Sequence, residues 1–487
     1  MSPADPNTQT AFRPAQAQRW SLTGGFQAAM DNPSARKELL GWCGLAVLSL
    51  AIAGVFALLL AISRVPGIQN VFPWPLQFFH KGLVIHVVFS FVVWFLSVLG
   101  CLTVIAVHRV QAGRPKARWM GTVAIWGGLL SSVLLFAPGF MDRGEASLNN
   151  YVPIIIDPLY YGGLIVLAVS LTLVIARLAL NLFKRQGPFE PVSQATLVGG
   201  IMFLIALLCF GLSWAALVGG EVNGGYNEDL FWGGGHMLQY VNTTLMLVSW
   251  YILGGIAFER PAVDPRLFRS VIAIISVTSF ALPALYIIYD PVSVDQREAF
   301  TWLQYGLAPP TLLMSGAMIA TAAQYRQRTG AWPWGNVAFL CLILSVVVFG
   351  VGGFLGLFVD GADTRTPAHY HGVIGGVNLT FMGLFFVLFL PLMNRHIKTT
   401  RSIIVLVWFY AVGQTFHSLG LFLAGGYGAP RKTAGAEQGI EAMGAKIGLY
   451  LMGAGAVVAV IGGIMFIWII SRALLRPTQN ISPPQAN

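Results

Sequence analysis

The chain has 487 residues, of which 56% are hydrophobic and 10% charged, at a mean hydropathy of +0.70. Its apolar runs of about twenty residues exclude a soluble globular protein, and also a closed barrel, whose strands alternate over about ten. A net charge of +10 raises nucleic acid as a partner, but the cations lie in short loops between apolar runs, where they report membrane topology instead.

Residues 1–38 are polar and lack the basic-then-apolar pattern of a signal peptide, so a loose cytoplasmic tail is expected there. Apolar segments then fall near 39–63, 83–107, 118–137, 157–182, 194–218, 230–257, 268–289, 302–322, 334–358, 368–393, 403–424 and 446–471. Each can cross about 30 Å of hydrocarbon. The fold expected is an all-α, polytopic membrane bundle of twelve transmembrane helices. It forms one domain over 39–471 and ends in a second tail, 472–487. With the N-terminus inside, twenty of the 29 Lys and Arg residues fall on the inner side and eight on the outer, while 13 of the 19 acids fall outside. That bias places both termini in the cytoplasm of a multi-pass inner-membrane protein. It leaves an acidic outer face, suited to solvation or to a cationic partner.

The four cysteines, Cys43, Cys101, Cys209 and Cys341, all lie within apolar segments with no C-x-x-C pair. They read as small core residues. The histidines are distributed differently. His86, His236, His369, His371 and His417 all fall toward the outer ends of four helices. Ionisable groups in a membrane helix are costly and mark function. His369 and His371 are two residues apart, so on a helix they project to faces about 200° apart. One helix can thus serve a centre on each side, which is what two membrane haems need.

These segments resemble subunit I of the heme-copper oxidase superfamily, most closely its B-type branch. The stretch Gly82-Leu83-Val84-Ile85-His86 is similar to the family's first low-spin haem segment. Phe231-Trp232-Gly233-Gly234-Gly235-His236-Met237-Leu238-Gln239-Tyr240 resembles the segment whose histidine binds copper and is cross-linked to a tyrosine one turn on. Ala368-His369-Tyr370-His371 resembles A-H-F-H. His417-Ser418-Leu419-Gly420 through Gly428-Ala429-Pro430-Arg431-Lys432 resembles the stretch whose basic pair meets haem propionates. The resemblance implies two haems of unspecified type. His86 and His371 would hold the low-spin iron and His369 the high-spin iron. Arg431 and Lys432 would meet propionates, His236 and Tyr240 would stand at the catalytic site, and His417 would stand beside the ligands. It also implies further respiratory subunits, an outer-face electron donor such as a c-type cytochrome, and oxygen or nitric oxide as the diatomic bound.

One departure bears on the metal. The family's copper takes an adjacent histidine pair at the end of the seventh span, where this chain has Leu285-Tyr286. A single imidazole at His236 makes a poor copper site, so copper is doubtful. Three functions then stand open. One is an oxidoreductase of the cytochrome c oxidase or nitric oxide reductase kind. Another is a non-catalytic haem relay or gas-binding subunit. A transporter fits least, since the histidines cluster at one level. Thr243, Thr244, Tyr251, Thr311 and Ser315 offer parts of a proton path, against the commoner role of back-bonded packing.

Overall fold

A computed structural model describes residues 22–71, 76–359, 361 and 363–476. Among these, twelve helices are long and apolar enough to cross a membrane. They are Pro33–Ser63, Gln77–Val110, Arg118–Phe140, Pro158–Leu182, Pro191–Ala216, Gly224–Phe258, Pro265–Ile288, Val294–Thr329, Val337–Gly356, Arg365–Leu392, Arg401–Gly426 and Met443–Leu475, called spans 1 to 12. All twelve coincide with the apolar segments read from the sequence. The described residues are mostly helical. Among them the strands are a two-residue pair, β1 (Ala146–Ser147) and β2 (Ile154–Ile155), antiparallel between spans 3 and 4.

Helix starts follow local chemistry. Pro stands in the first turn of spans 1, 4, 5 and 7, where its missing N–H is not needed. The side chains of Asn32, Asp157, Asn223, Asp264 and Asn336 accept hydrogen bonds from the first free amides of spans 1, 4, 6, 7 and 9. The packed part of the chain begins earlier than residue 39. A helix over Leu22–Met30 precedes span 1, and its Phe26 and Met30 are wholly buried in the main core. The rest of the expected N-terminal tail, 1–21, and most of the C-terminal one, 477–487, lie outside the described residues.

The spans divide by burial. Spans 2, 6 and 10 are 89%, 94% and 83% buried along their apolar windows, while the other nine range from 33% to 56%. The three encircled spans carry His86, His236 and the His369–His371 pair. Spans 2 and 10 also each contain a π-helical turn, Val88–Val93 and Phe385–Phe389, and Trp94, the residue after the first turn, stacks on Phe385 of the second. Such turns re-aim side chains and recur at functional sites.

Glycines let particular spans touch backbone to backbone. A Cβ on Gly372 would lie 2.4 Å from the Cα of Gly352, joining spans 9 and 10. Spans 11 and 12 meet the same way at Gly413, Gly420, Gly448 and Gly455, where an added Cβ would come within 2.3–2.5 Å of opposing backbone nitrogens. Close approach through small residues is how helices gain contact in lipid, where the hydrophobic effect offers none.

At the opposite end from the clustered histidines, Glu38, His108 and Arg177 are buried together. Arg177 donates to Glu38 through Nη1 at 2.6 Å and Nη2 at 3.3 Å, and His108 Nε2 lies 3.5 Å from the same carboxylate. The triad joins spans 1, 2 and 4.

Candidate haem and ligand-binding site

Four of the five clustered histidines use Nδ1 on a backbone carbonyl. His86 reaches Ala53 at 3.0 Å, His236 reaches Trp232 at 2.9 Å, His369 reaches Gly352 at 2.8 Å and His417 reaches Met452 at 3.1 Å. A carbonyl only accepts, so Nδ1 carries the proton and Nε2 the lone pair. That is the tautomer a metal ligand needs, with the ring held by its second nitrogen. The Gly352–Gly372 contact is what brings the Gly352 carbonyl within reach of His369.

His86 and His371 come together from spans 2 and 10. Their ring centroids are 6.5 Å apart and their planes 15° apart. A metal between two Nε2 atoms at about 2 Å each places the ring centres a little over 6 Å apart. The separation therefore fits one iron between the two imidazoles. His417 stands against His371 edge-on, with centroids 4.3 Å apart at 70°. His369, Tyr370 and His371 each retain accessible surface at the start of a span that is otherwise enclosed.

The cationic rim has three members, one of which sequence reasoning missed. Arg64 ends span 1, looks like an ordinary loop charge in sequence, and is only 9% exposed. Its Nη2 donates to the Pro430 carbonyl at 2.7 Å, while its Nε has no partner. Among the described residues no carboxylate forms an ion pair with it. Burial pulls its pKa down to about 10. Lys432, in a left-handed conformation at φ +63°, is pulled down to about 8 by burial and then by Arg431, with Glu228 opposing. Arg431 lies beside Tyr370. A buried guanidinium with a free donor beside two more cations fits an anionic group such as a propionate.

His236 is arranged differently. It is fully buried, with both ring nitrogens engaged: Nδ1 on the Trp232 carbonyl, and Nε2 2.9 Å from the Tyr151 hydroxyl. Tyr151 comes from the β1–β2 loop, and nothing in its sequence context singles it out. Three consecutive glycines make room for three aromatic residues here. A Cβ would meet the Tyr286 hydroxyl from Gly233, the Phe210 ring from Gly234 and Cβ of Tyr151 from Gly235, all within 2.4 Å. Tyr286 turns to Ser213 at 2.8 Å, with Phe300 between it and His236. Tyr240, fully buried, donates to the Leu303 carbonyl. Among the described residues no three His, Cys, Asp or Glu side chains come together to hold a metal ion. An imidazole with both nitrogens engaged and no second histidine grouped with it among the described residues does not fit copper.

Of the hydroxyls weighed for a proton path, Thr311 back-bonds to the Leu307 and Ala308 carbonyls at 2.9 Å, and Thr244 donates to Met202 Sδ. Those two hydroxyls serve packing.

A family model described as cytochrome c and quinol oxidase polypeptide I matches residues 39–465. An uncharacterized protein of Rickettsia prowazekii is 25% identical over 498 residues, covering 89% of this chain and 95% of its own. An uncharacterized protein of Aquifex aeolicus is 28% identical over 382 residues, covering 76% and 90%. Cytochrome c oxidase subunit 1 of Thermus thermophilus is 23% identical over 441 residues, covering 82% and 77%.

Proposed function

Because the chain belongs to the cytochrome c and quinol oxidase polypeptide I family, we propose that it is a di-haem membrane subunit of a respiratory complex. It takes electrons at its outer face and passes them from a bis-histidine haem to an open one that binds oxygen or nitric oxide. The observation that carries this reading is the His86–His371 pair, spaced for one iron. The haems would supply one-electron transfer and, at His369, a coordination position for a diatomic ligand. The chain itself holds the His86 and His369 imidazoles in the ligating tautomer, would offer Arg64, Arg431 and Lys432 to propionates, and encloses the histidine-bearing spans 2 and 10 in protein. Electrons would come from a partner such as a c-type cytochrome, since the chain has no C-x-x-C-H motif for covalent haem.

No step is routed through copper, because the residues at its position do not fit it. That same observation favours a second reading, a non-catalytic relay or gas-binding subunit with the same two haems. Purified protein should contain two irons and no stoichiometric copper. Carbon monoxide should shift one haem in the reduced spectrum. Absence of haem sinks both readings. Two haems with no carbon monoxide response leave only the relay. Turnover of oxygen or nitric oxide then separates enzyme from binding subunit.

A further inference from the structure

Nothing in the family's copper arrangement accounts for Tyr151. We propose that this residue, delivered by the loop between spans 3 and 4, takes the place of a metal as the partner of His236. The Tyr151–His236 pair is then the hydrogen-bonding element on the ligand side of the haem held by His369. The proposal rests on the haem reading above.

The loop is built to present this side chain. Strands β1 and β2 pair Ala146 with Ile155 and Ser147 with Ile154, closing the loop at its base. Asn149 ties its interior, receiving a bond from Ser147 and donating to the Val152 carbonyl. Asn150 is clamped to the start of span 6, its amide and its side chain each donating to Glu228, at 2.9 and 2.6 Å. Tyr151 then adopts φ +64°, a left-handed conformation unfavourable for a bulky residue. Such strain persists only where the surroundings enforce it, and it concentrates at functional positions. The ring packs 4.6 Å from His236 and 5.6 Å from Trp232. The absence of a side chain at Gly235 is what admits it.

Helix packing directs the pair toward His369: span 6, bearing His236, packs directly on span 10, bearing His369. The tautomer sets the donor. With Nδ1–H given to Trp232, Nε2 can only accept, so the Tyr151 hydroxyl donates. Burial, then Tyr370 and Glu228, push the phenol well above its ordinary pKa of 10, so it keeps its proton. That O–H has two acceptors to choose from: His236 Nε2 and a ligand bound opposite His369. No covalent step is involved. The pair tunes the ligand by sharing one proton donor.

The competition gives two variants with opposite signatures. In Tyr151→Phe the backbone and ring remain and the donor is lost. The C–O stretch of the carbon monoxide complex should rise, and cyanide should bind the oxidised haem roughly tenfold more weakly. In His236→Leu the competing acceptor is lost, so the hydroxyl turns fully to the ligand and the C–O stretch should fall. A residue that only packs would not move the stretch in opposite directions. Retention of the low-spin haem spectrum shows that each variant is folded. If Tyr151→Phe does not accumulate, the downward shift in His236→Leu decides alone. Unchanged stretches, or shifts of the same sign, in a protein that still binds carbon monoxide overturn this inference and leave the functional reading intact. A native protein without a carbon monoxide-binding haem overturns both.

Discussion

The His369 imidazole donates from Nδ1 to the Gly352 carbonyl, 2.8 Å away, across a contact where Gly352 and Gly372 leave no room for a side chain. One hydrogen bond thus depends on the closeness of two helices. Substituting Gly372→Val forces spans 9 and 10 apart, since its Cβ would lie 2.4 Å from the Gly352 Cα. Overpacking of this kind costs about 1–3 kcal/mol. The expected outcome is loss of the carbon monoxide-binding haem with the low-spin haem retained, read from the reduced spectrum.

The two proposed haem sites should be separable by mutation. His371→Ala or His86→Ala removes one of two imidazoles 6.5 Å apart and should abolish the low-spin signal. His369→Ala should leave that signal and abolish the carbon monoxide shift. Pyridine haemochrome quantification should show about one haem fewer per chain in each case. Loss of both haems in every variant would speak against separate sites.

The buried Glu38–Arg177–His108 triad should be the most costly polar cluster to break. Arg177 and His108 are each 1% exposed and Glu38 6%, so removing one partner strands a charge away from water. Glu38→Gln or Arg177→Met should each destabilise the detergent-solubilised protein by about 3–5 kcal/mol. The double variant should be less damaged than the sum of the two, because a single loss leaves the other charge uncompensated. Thermal unfolding of the four proteins measures the coupling.

Lys432 predicts a pH dependence. Its folded pKa of about 8 lies below its ordinary 10.5, so the unfolded chain holds the proton more tightly. The fold bears the cost of the charged lysine below pH 8, and stability from this group rises between pH 8 and 10.5. A bound carboxylate would remove the depression. Haem-depleted protein should therefore gain thermal stability over that interval, and Lys432→Met should flatten the gain. Haem-loaded protein should show little of it. An equal slope in all three samples would mean that Lys432 does not meet an anionic group.

The twelve spans were legible in sequence because a bilayer demands about twenty apolar residues at a time, and the loop cations mark the boundaries. The clustered histidines were legible as a candidate site because an imidazole in an apolar helix has few other reasons to exist. The start of the packed chain was not. Phe26 and Met30 contribute two anchors within a polar stretch, a signal too sparse to distinguish from a tail. Arg64 was hidden for the opposite reason: a cation at the end of a span is expected in any membrane protein, and only its burial sets it apart. Tyr151 could not be found at all. Its meeting with His236 spans 85 positions in the chain and depends on a two-residue sheet. The run Gly233-Gly234-Gly235 was visible, but that it answers Tyr286, Phe210 and Tyr151 emerges only when the helices are assembled.

The encirclement of spans 2, 6 and 10 bears on how the protein meets its bilayer. Every candidate ligand of an iron sits on a helix that lipid barely touches, while the other nine spans form the wall against the acyl chains. A helix confronted with a thicker or thinner membrane responds by tilting or by deforming the bilayer around it. Here that response falls on the wall. The His86–His371 pair is thus carried by two enclosed helices, and only the carbonyls that orient the imidazoles, Ala53 on span 1 and Gly352 on span 9, come from the wall.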